Sequence, residues 1–140
     1  MRFKLIYPKW PKLDRQTEFH LPPHGPVVFA ATLPDYVDVD FVDENLEEID
    51  FAEEVDFVGI SMMLTVQVKR GWEIADFYRA QGIKVICGGI ATMLHAEECM
   101  RHADAVFLGE AEGRMEAVCQ DFLNNSLQPL YNFLDTPPDI

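Results

Sequence analysis

The stretch from Lys84 to Thr92, K-V-I-C-G-G-I-A-T, does most to constrain what this chain of 140 residues can fold into. Val85, Ile86 and Cys87 form an apolar run without alternation, the pattern of a strand buried on both faces in a parallel sheet under helices. The run stops at two adjacent glycines, Gly88 and Gly89. Glycine takes positive φ at little cost and, having no Cβ, lets another group approach the main chain closely. Ligands of open α/β sheets lie outside the carboxyl ends of the strands, where this pair falls. The local sequence leaves two readings open: a tight strand-to-helix turn, or bare backbone under a ligand.

Other segments supply the rest of a sheet. Phe3 to Tyr7 reads as a first strand, closed by Pro8, which cannot donate to a continuing ladder. The loop from Lys9 to about His24, carrying Trp10, is long enough to be functional or mobile. Pro26 suits the first turn of a helix through Leu33 that is apolar nearly all round and so is expected to be heavily buried. Val37, Val39 and Phe41 alternate with Asp38 and Asp40, as in a strand whose other face is wet or which lies at a sheet edge. An acidic crossover, Asp43 to Asp56, is expected to form a short helix or an irregular connection. Asp56 to Ser61 is a buried strand, followed by the loop Ser61-Met62-Met63-Leu64-Thr65. Val68, Trp72, Ala75 and Tyr78 then recur at helical spacing, with Gly82 as the stop.

After Thr92, His95 to His102 reads as a short helix with Ala96, Cys99 and Met100 turned inward. Asp104 to Leu108 is a last strand, ending at Gly109-Glu110-Ala111-Glu112, and Met115, Val118 and Phe122 mark a last helix. Strands alternating with helices imply right-handed crossovers and a parallel sheet. The expected fold is α/β, a flavodoxin-like (Rossmann-like) three-layer sandwich with five strands in the order 2-1-3-4-5 and a switch point between the first and third. Residues 1–124 are expected to form the domain, and 125–140, where periodicity is lost, a linker toward a further domain.

Charge and chemistry narrow the function. The formal net charge is −13, with no basic cluster larger than Lys69-Arg70, so nucleic acid is not an expected partner. No apolar run approaches the roughly 20 residues of a membrane span, and Pro8 breaks the start too early for a signal peptide. A cytoplasmic location is expected. Cys87, Cys99 and Cys119 are odd in number and sit among core-like neighbours, as buried free thiols do. The first strand ends at Tyr7-Pro8-Lys9-Trp10. This lacks the acidic cluster of a phosphoacceptor receiver, the phosphate loop of a flavodoxin and the G-x-G-x-x-G of a dinucleotide site. No set of convergent acid–base or nucleophilic groups marks a self-contained enzyme, and no catalytic or metal-ligating residue is assigned.

In order along the chain, Leu5-Ile6-Tyr7-Pro8, Pro22-Pro23-His24-Gly25, Asp43-Glu44-Asn45, Gly59-Ile60-Ser61, Gly88-Gly89-Ile90-Ala91-Thr92 and Gly109-Glu110-Ala111-Glu112 resemble the N-terminal cobalamin-binding domain of B12-dependent radical SAM enzymes. The likeness is closest to anaerobic Mg-protoporphyrin IX monomethyl ester oxidative cyclases and their relatives, B12-dependent methylases among them. It implies a corrin ring over the strand ends, with its dimethylbenzimidazole tail in a slot near the switch point. It also implies a C-terminal radical SAM domain in cis, carrying C-x-x-x-C-x-x-C for a [4Fe–4S] cluster that cleaves S-adenosylmethionine. That cysteine motif does not occur in this sequence, so the chain is not expected to be catalytic alone.

The resemblance assigns Pro8, Trp10, Ser61, Met62, Met63, Thr65, Gly88, Gly89, Thr92, Gly109 and Glu110 to cofactor binding. Ser61, Thr65 and Thr92 would hydrogen-bond the tail, or cap helices. Met62 and Met63 would floor the corrin, or fill the core; Trp10 would cover the ring or face the missing domain. Glu110 and Glu112 would meet corrin amides, or compensate a helix dipole. Many cobalamin modules carry D-x-H-x-x-G, whose histidine ligates cobalt. The motif is absent here, although His20 and His24 lie in the corresponding loop, so base-off binding without a protein ligand is expected. A branched residue at Gly89 is expected to block the slot and leave the fold intact. A scaffold domain that keeps the fold but has lost the cofactor is the competing reading.

Overall fold

The computed structural model describes residues 1–11 and 24–135. His20 and the Pro22-Pro23 pair lie outside the described residues. Six strands form one all-parallel sheet: β1 (Arg2–Tyr7), β2 (Asp38–Asp43), β3 (Phe57–Ser61), β4 (Lys84–Gly88), β5 (Ala105–Leu108) and β6 (Leu130–Asn132), in the order β2-β1-β3-β4-β5-β6. The helices are α1 (His24–Ala31), α2 (Val68–Ala80), α3 (Ile90–Leu94), α4 (Ala96–His102) and α5 (Met115–Leu123), with a 3-10 turn at Thr65–Gln67. The flavodoxin-like order is as expected, with the switch between β1 and β3.

Side chains alternate along each strand and so divide the core in two. Phe3, Leu5, Phe57, Ile86 and Phe107 pack with Met115, Val118 and Cys119 of α5 on one face. Ile6, Val58, Ile60, Val85, Cys87 and Val106 pack with Ile74, Ala75 and Tyr78 of α2 and Cys99 of α4 on the other. All three cysteines are free and buried. Gly82, at φ +81, ends α2, as its spacing predicts. β2 is an edge strand, with Asp38 and Asp40 exposed along it.

Four expectations need correction or choice. The strand count is six, not five: β6 adds Tyr131, whose hydroxyl donates to Asp121 Oδ2 at 2.7 Å and accepts from the Gln128 amide at 3.0 Å. Three residues with one buried side chain carry no readable periodicity. Helix α1 is not heavily buried; only Pro26 is, and Val27 is 52% exposed. One side of α1 meets the sheet and another borders an open cleft, which an all-round apolar pattern does not reveal. The acidic connection is irregular and holds no helix, with Ile49 and Phe51 as its anchors while Leu46 stays exposed. Met100 is exposed on α4, where Cys99 alone is buried.

Candidate functional site

The strand ends open into a cleft of about 420 Å³, within the range of small-molecule sites. Its floor follows from the alternation of the sheet. Leu5, Gly59, Ile86 and Phe107 face the same side of adjacent strands, and Val28 and Phe29 of α1 stand opposite them. The mouth is formed by the loops after β3, β4 and β5.

Seven of the expected residues come together there: Ser61, Met63, Gly88, Gly89, Gly109, Glu110 and Glu112 all line the cleft. Ser61 and Gly88 are register partners in the β3–β4 ladder. The Ser61 side chain is nearly buried, and its hydroxyl makes no hydrogen bond among the described residues. The walls are predominantly apolar, with the two carboxylates at the rim.

The glycines differ in what keeps them bare. At Gly89 φ is +101, and a Cβ there would lie 2.5 Å from the carbonyl oxygen of Met62. At Gly109 φ is +111, and a Cβ would press on the Phe133 carbonyl at 3.0 Å. Both are required by the chain's own backbone. Gly88 has no positive φ, and a Cβ would find only Phe107 atoms, at 3.8 and 4.0 Å. Local packing leaves a methyl-sized space at Gly88 on the side facing the cleft.

The other expected residues do not reach the cleft. Met62 is one residue past Ser61, so the alternation turns it to the opposite face, where it is fully buried and packs over Gly71. Thr92 is fully buried, and its hydroxyl donates to the Gly88 carbonyl at 2.8 Å. Thr65 is exposed on the 3-10 turn. Pro8 accepts a hydrogen bond from Gln67, and Trp10 sits edge-on to Tyr7 at 5.9 Å. Sequence reasoning missed the α1 wall, Ile90 and Met93, half of whose apolar surface is open at the mouth. Their signal was an apolar helix with no polar face to give to water. His24, at the start of α1, also borders the cleft.

Two titratable groups bear on the site. Burial, with Cys99 nearby, pushes the Cys87 thiol far up, so this thiol, packed in the core on the face away from the cleft, stays neutral and not a nucleophile. At the end of β2, burial alone would raise the Glu44 carboxyl. Hydrogen bonds from Arg70 at 2.6 and 2.9 Å and from the Lys9 amide at 3.1 Å outweigh that and hold it below the ordinary 4.5. A carboxyl lowered by folding stabilises the native state above its unfolded pKa and loses that contribution as pH falls through the folded value. Glu44→Gln is therefore expected to cost on the order of 1–3 kcal/mol near neutrality. The difference from the parent should shrink below the ordinary carboxylate range of about 4.3. Urea titrations on both sides of that range check it; an equal loss at both would contradict the assignment.

An open parallel sheet with an apolar cleft at its carboxyl end, bare at one strand terminus, defines a flavodoxin-like ligand-binding domain. The chain belongs to the B12 binding domain family, which it matches over residues 14–119, and cobalamin is the ligand for which that family is named. It is 33% identical over 112 residues to bacteriochlorophyllide d C-8(2)-methyltransferase of Chlorobaculum tepidum, covering 79% of this chain and 25% of that protein. It is 30% identical over 124 residues to bacteriochlorophyllide d C-12(1)-methyltransferase of the same organism, covering 81% of this chain and 27% of that protein. The chain thus spans about a quarter of the length of these curated relatives. No solved structure matches it. Among the described residues no helix is long and apolar enough to cross a membrane.

Proposed function

We propose that this chain is the module that holds cobalamin, base-off, for a radical SAM catalytic domain of a longer protein, in cis, and that the reaction class is methyl transfer. The observation that carries the reading is the space at Gly88, open toward the cleft and unused by the protein's own packing. Methyl transfer is favoured over oxidative cyclisation because both relatives are methyltransferases by name.

The residues present fit the cofactor. Gly88 lets the tail pass along bare backbone. The Ser61 hydroxyl, which has no hydrogen-bond partner among the described residues, would bond a polar group of that tail. Met63, Ile90 and Met93 offer apolar contact at the mouth, and Glu110 accepts hydrogen bonds from amide groups of a ring lying above the strand ends. When bound, cobalamin supplies one-carbon or one-electron chemistry at cobalt. The iron–sulfur cluster and S-adenosylmethionine belong to the domain outside this chain; residues 125–135 are part of the present domain and not a linker, since β6 lies among them.

The missing D-x-H-x-x-G leaves no protein nitrogen for cobalt, a tail drawn into the slot beside Gly88 takes its base off cobalt, and electron paramagnetic resonance of the cob(II)alamin complex tests both. A retained corrinoid without nitrogen superhyperfine triplets is expected. Triplets that vanish in His20→Ala or His24→Ala would put a protein nitrogen on cobalt and overturn that part of the assignment, and triplets that persist in both variants would come from the tail base and overturn base-off binding. A protein that retains no corrinoid overturns the module itself.

A further inference from the structure

Gln67, at the junction of the 3-10 turn and α2, is fully buried although its side chain is an amide. A buried primary amide is stable only where its donors and acceptor are matched. Here Oε1 accepts from the main-chain amides of both Met63 and Leu64 at 2.9 Å, and Nε2 donates to the Pro8 carbonyl at 2.7 Å. Two N–H donors on one side and a carbonyl on the other fix which end of the amide is which.

The partners make the placement informative. Met63 and Leu64 belong to the loop after β3, of which Met63 lines the cleft beside Ser61 at the end of β3, and Pro8 directly follows β1. These strands are neighbours at the switch of the sheet, so one side chain ties the loop after β3 to the end of β1 at that point. Neither segment supplies those amides with another side-chain acceptor among the described residues. Without Gln67, two partly buried donors and one buried acceptor lose their partners together, and the cheapest relief is for the loop to move away toward water.

We propose that Gln67 is the positioning residue of the cleft: it touches no ligand, but sets the place of the Ser61–Leu64 loop and through it the affinity for cobalamin. The affinity part rests on the cofactor reading above. The test compares Gln67→Leu, which removes all three bonds, with Gln67→Glu, which keeps an acceptor for the two amides but replaces the donor to Pro8 by a second carboxyl oxygen facing the Pro8 carbonyl. Val118→Ala on α5, outside the cleft, serves as a control for general destabilisation.

Amide hydrogen exchange of the ligand-free protein is read first. Met63 and Leu64 are expected to exchange at least about tenfold faster in Gln67→Leu, and near the parent rate in Gln67→Glu and Val118→Ala. Equilibrium dialysis with hydroxocobalamin, well below each melting temperature, should show a dissociation constant raised about tenfold in Gln67→Leu, less in Gln67→Glu and not at all in Val118→Ala. Unchanged exchange at Met63 and Leu64 in Gln67→Leu overturns the positioning role. Affinity that falls equally in Val118→Ala reduces Gln67 to a stability residue. If Gln67→Leu does not fold, Gln67→Glu decides, because loss of the Pro8 bond must still weaken binding without exposing the two amides. A parent that binds no cobalamin overturns the cofactor reading and the affinity claim, while the exchange measurement still decides whether Gln67 holds the loop.

Discussion

Gly89→Ala is expected to destabilise the domain by about 3 kcal/mol or more, with or without ligand. A non-glycine residue at φ +101 carries a backbone cost of roughly 1–3 kcal/mol. The added Cβ would also meet Met62 O, C and N at 2.5, 2.9 and 3.0 Å. Those backbone atoms have no freedom to retreat, because Met62 N donates to Gly88 O at 2.9 Å and Met62 O accepts from Ala91 N at 2.9 Å. Relief means opening the bonds that join the ends of β3 and β4. Against a total stability of about 5–15 kcal/mol, such a loss moves a urea midpoint far down, and Gly89→Val moves it further. A loss below about 1 kcal/mol would show that the turn has more room than the structure allows.

The backbone at Gly89 thus argues against the expectation that a branched residue there would block the slot and spare the fold. The glycine that probes the slot is its neighbour. Gly88→Val is expected to fold like the parent and to bind cobalamin about tenfold to a hundredfold more weakly. The backbone at Gly88 is an ordinary strand end, where a β-branched residue is well accommodated, and the new Cβ meets nothing closer than 3.8 Å. It projects on the same face as Ser61, into the cleft. Three carbon atoms placed where a ligand must pass cost about 1–3 kcal/mol of overpacking, which spans the stated range of affinity. Circular dichroism and melting should match the parent while equilibrium dialysis shows the loss. Unchanged affinity in a folded Gly88→Val protein would remove the slot from the β4 end.

The sheet was legible because its signals are local. Apolar runs such as Val85 to Cys87, the Asp–Val alternation of β2 and the stop at Gly82 each reflect a backbone or burial constraint carried by a few adjacent residues. The cleft was legible only in outline. Glycines and hydroxyls near strand ends mark where a ligand lies, but which of them face it depends on strand parity. Ser61 and Met62 differ by one residue and face opposite layers, which follows from the period of two once the end of β3 is known. Thr92 sits at the right end of the sheet with its hydroxyl spent on Gly88. What stayed hidden needed three dimensions. The half-covered α1 packs as though for a full core yet borders a cleft, β6 is too short to show a period, and Gln67 reads in sequence as an ordinary polar residue at a helix start.

The most direct test of the account is the visible spectrum of the purified chain after mixing with hydroxocobalamin and desalting. The cleft at the strand ends predicts a corrinoid spectrum that travels with the protein at close to one equivalent and is diminished in the folded Gly88→Val variant. A folded parent that leaves the column colourless would contradict it, and the fold would then stand without its cofactor.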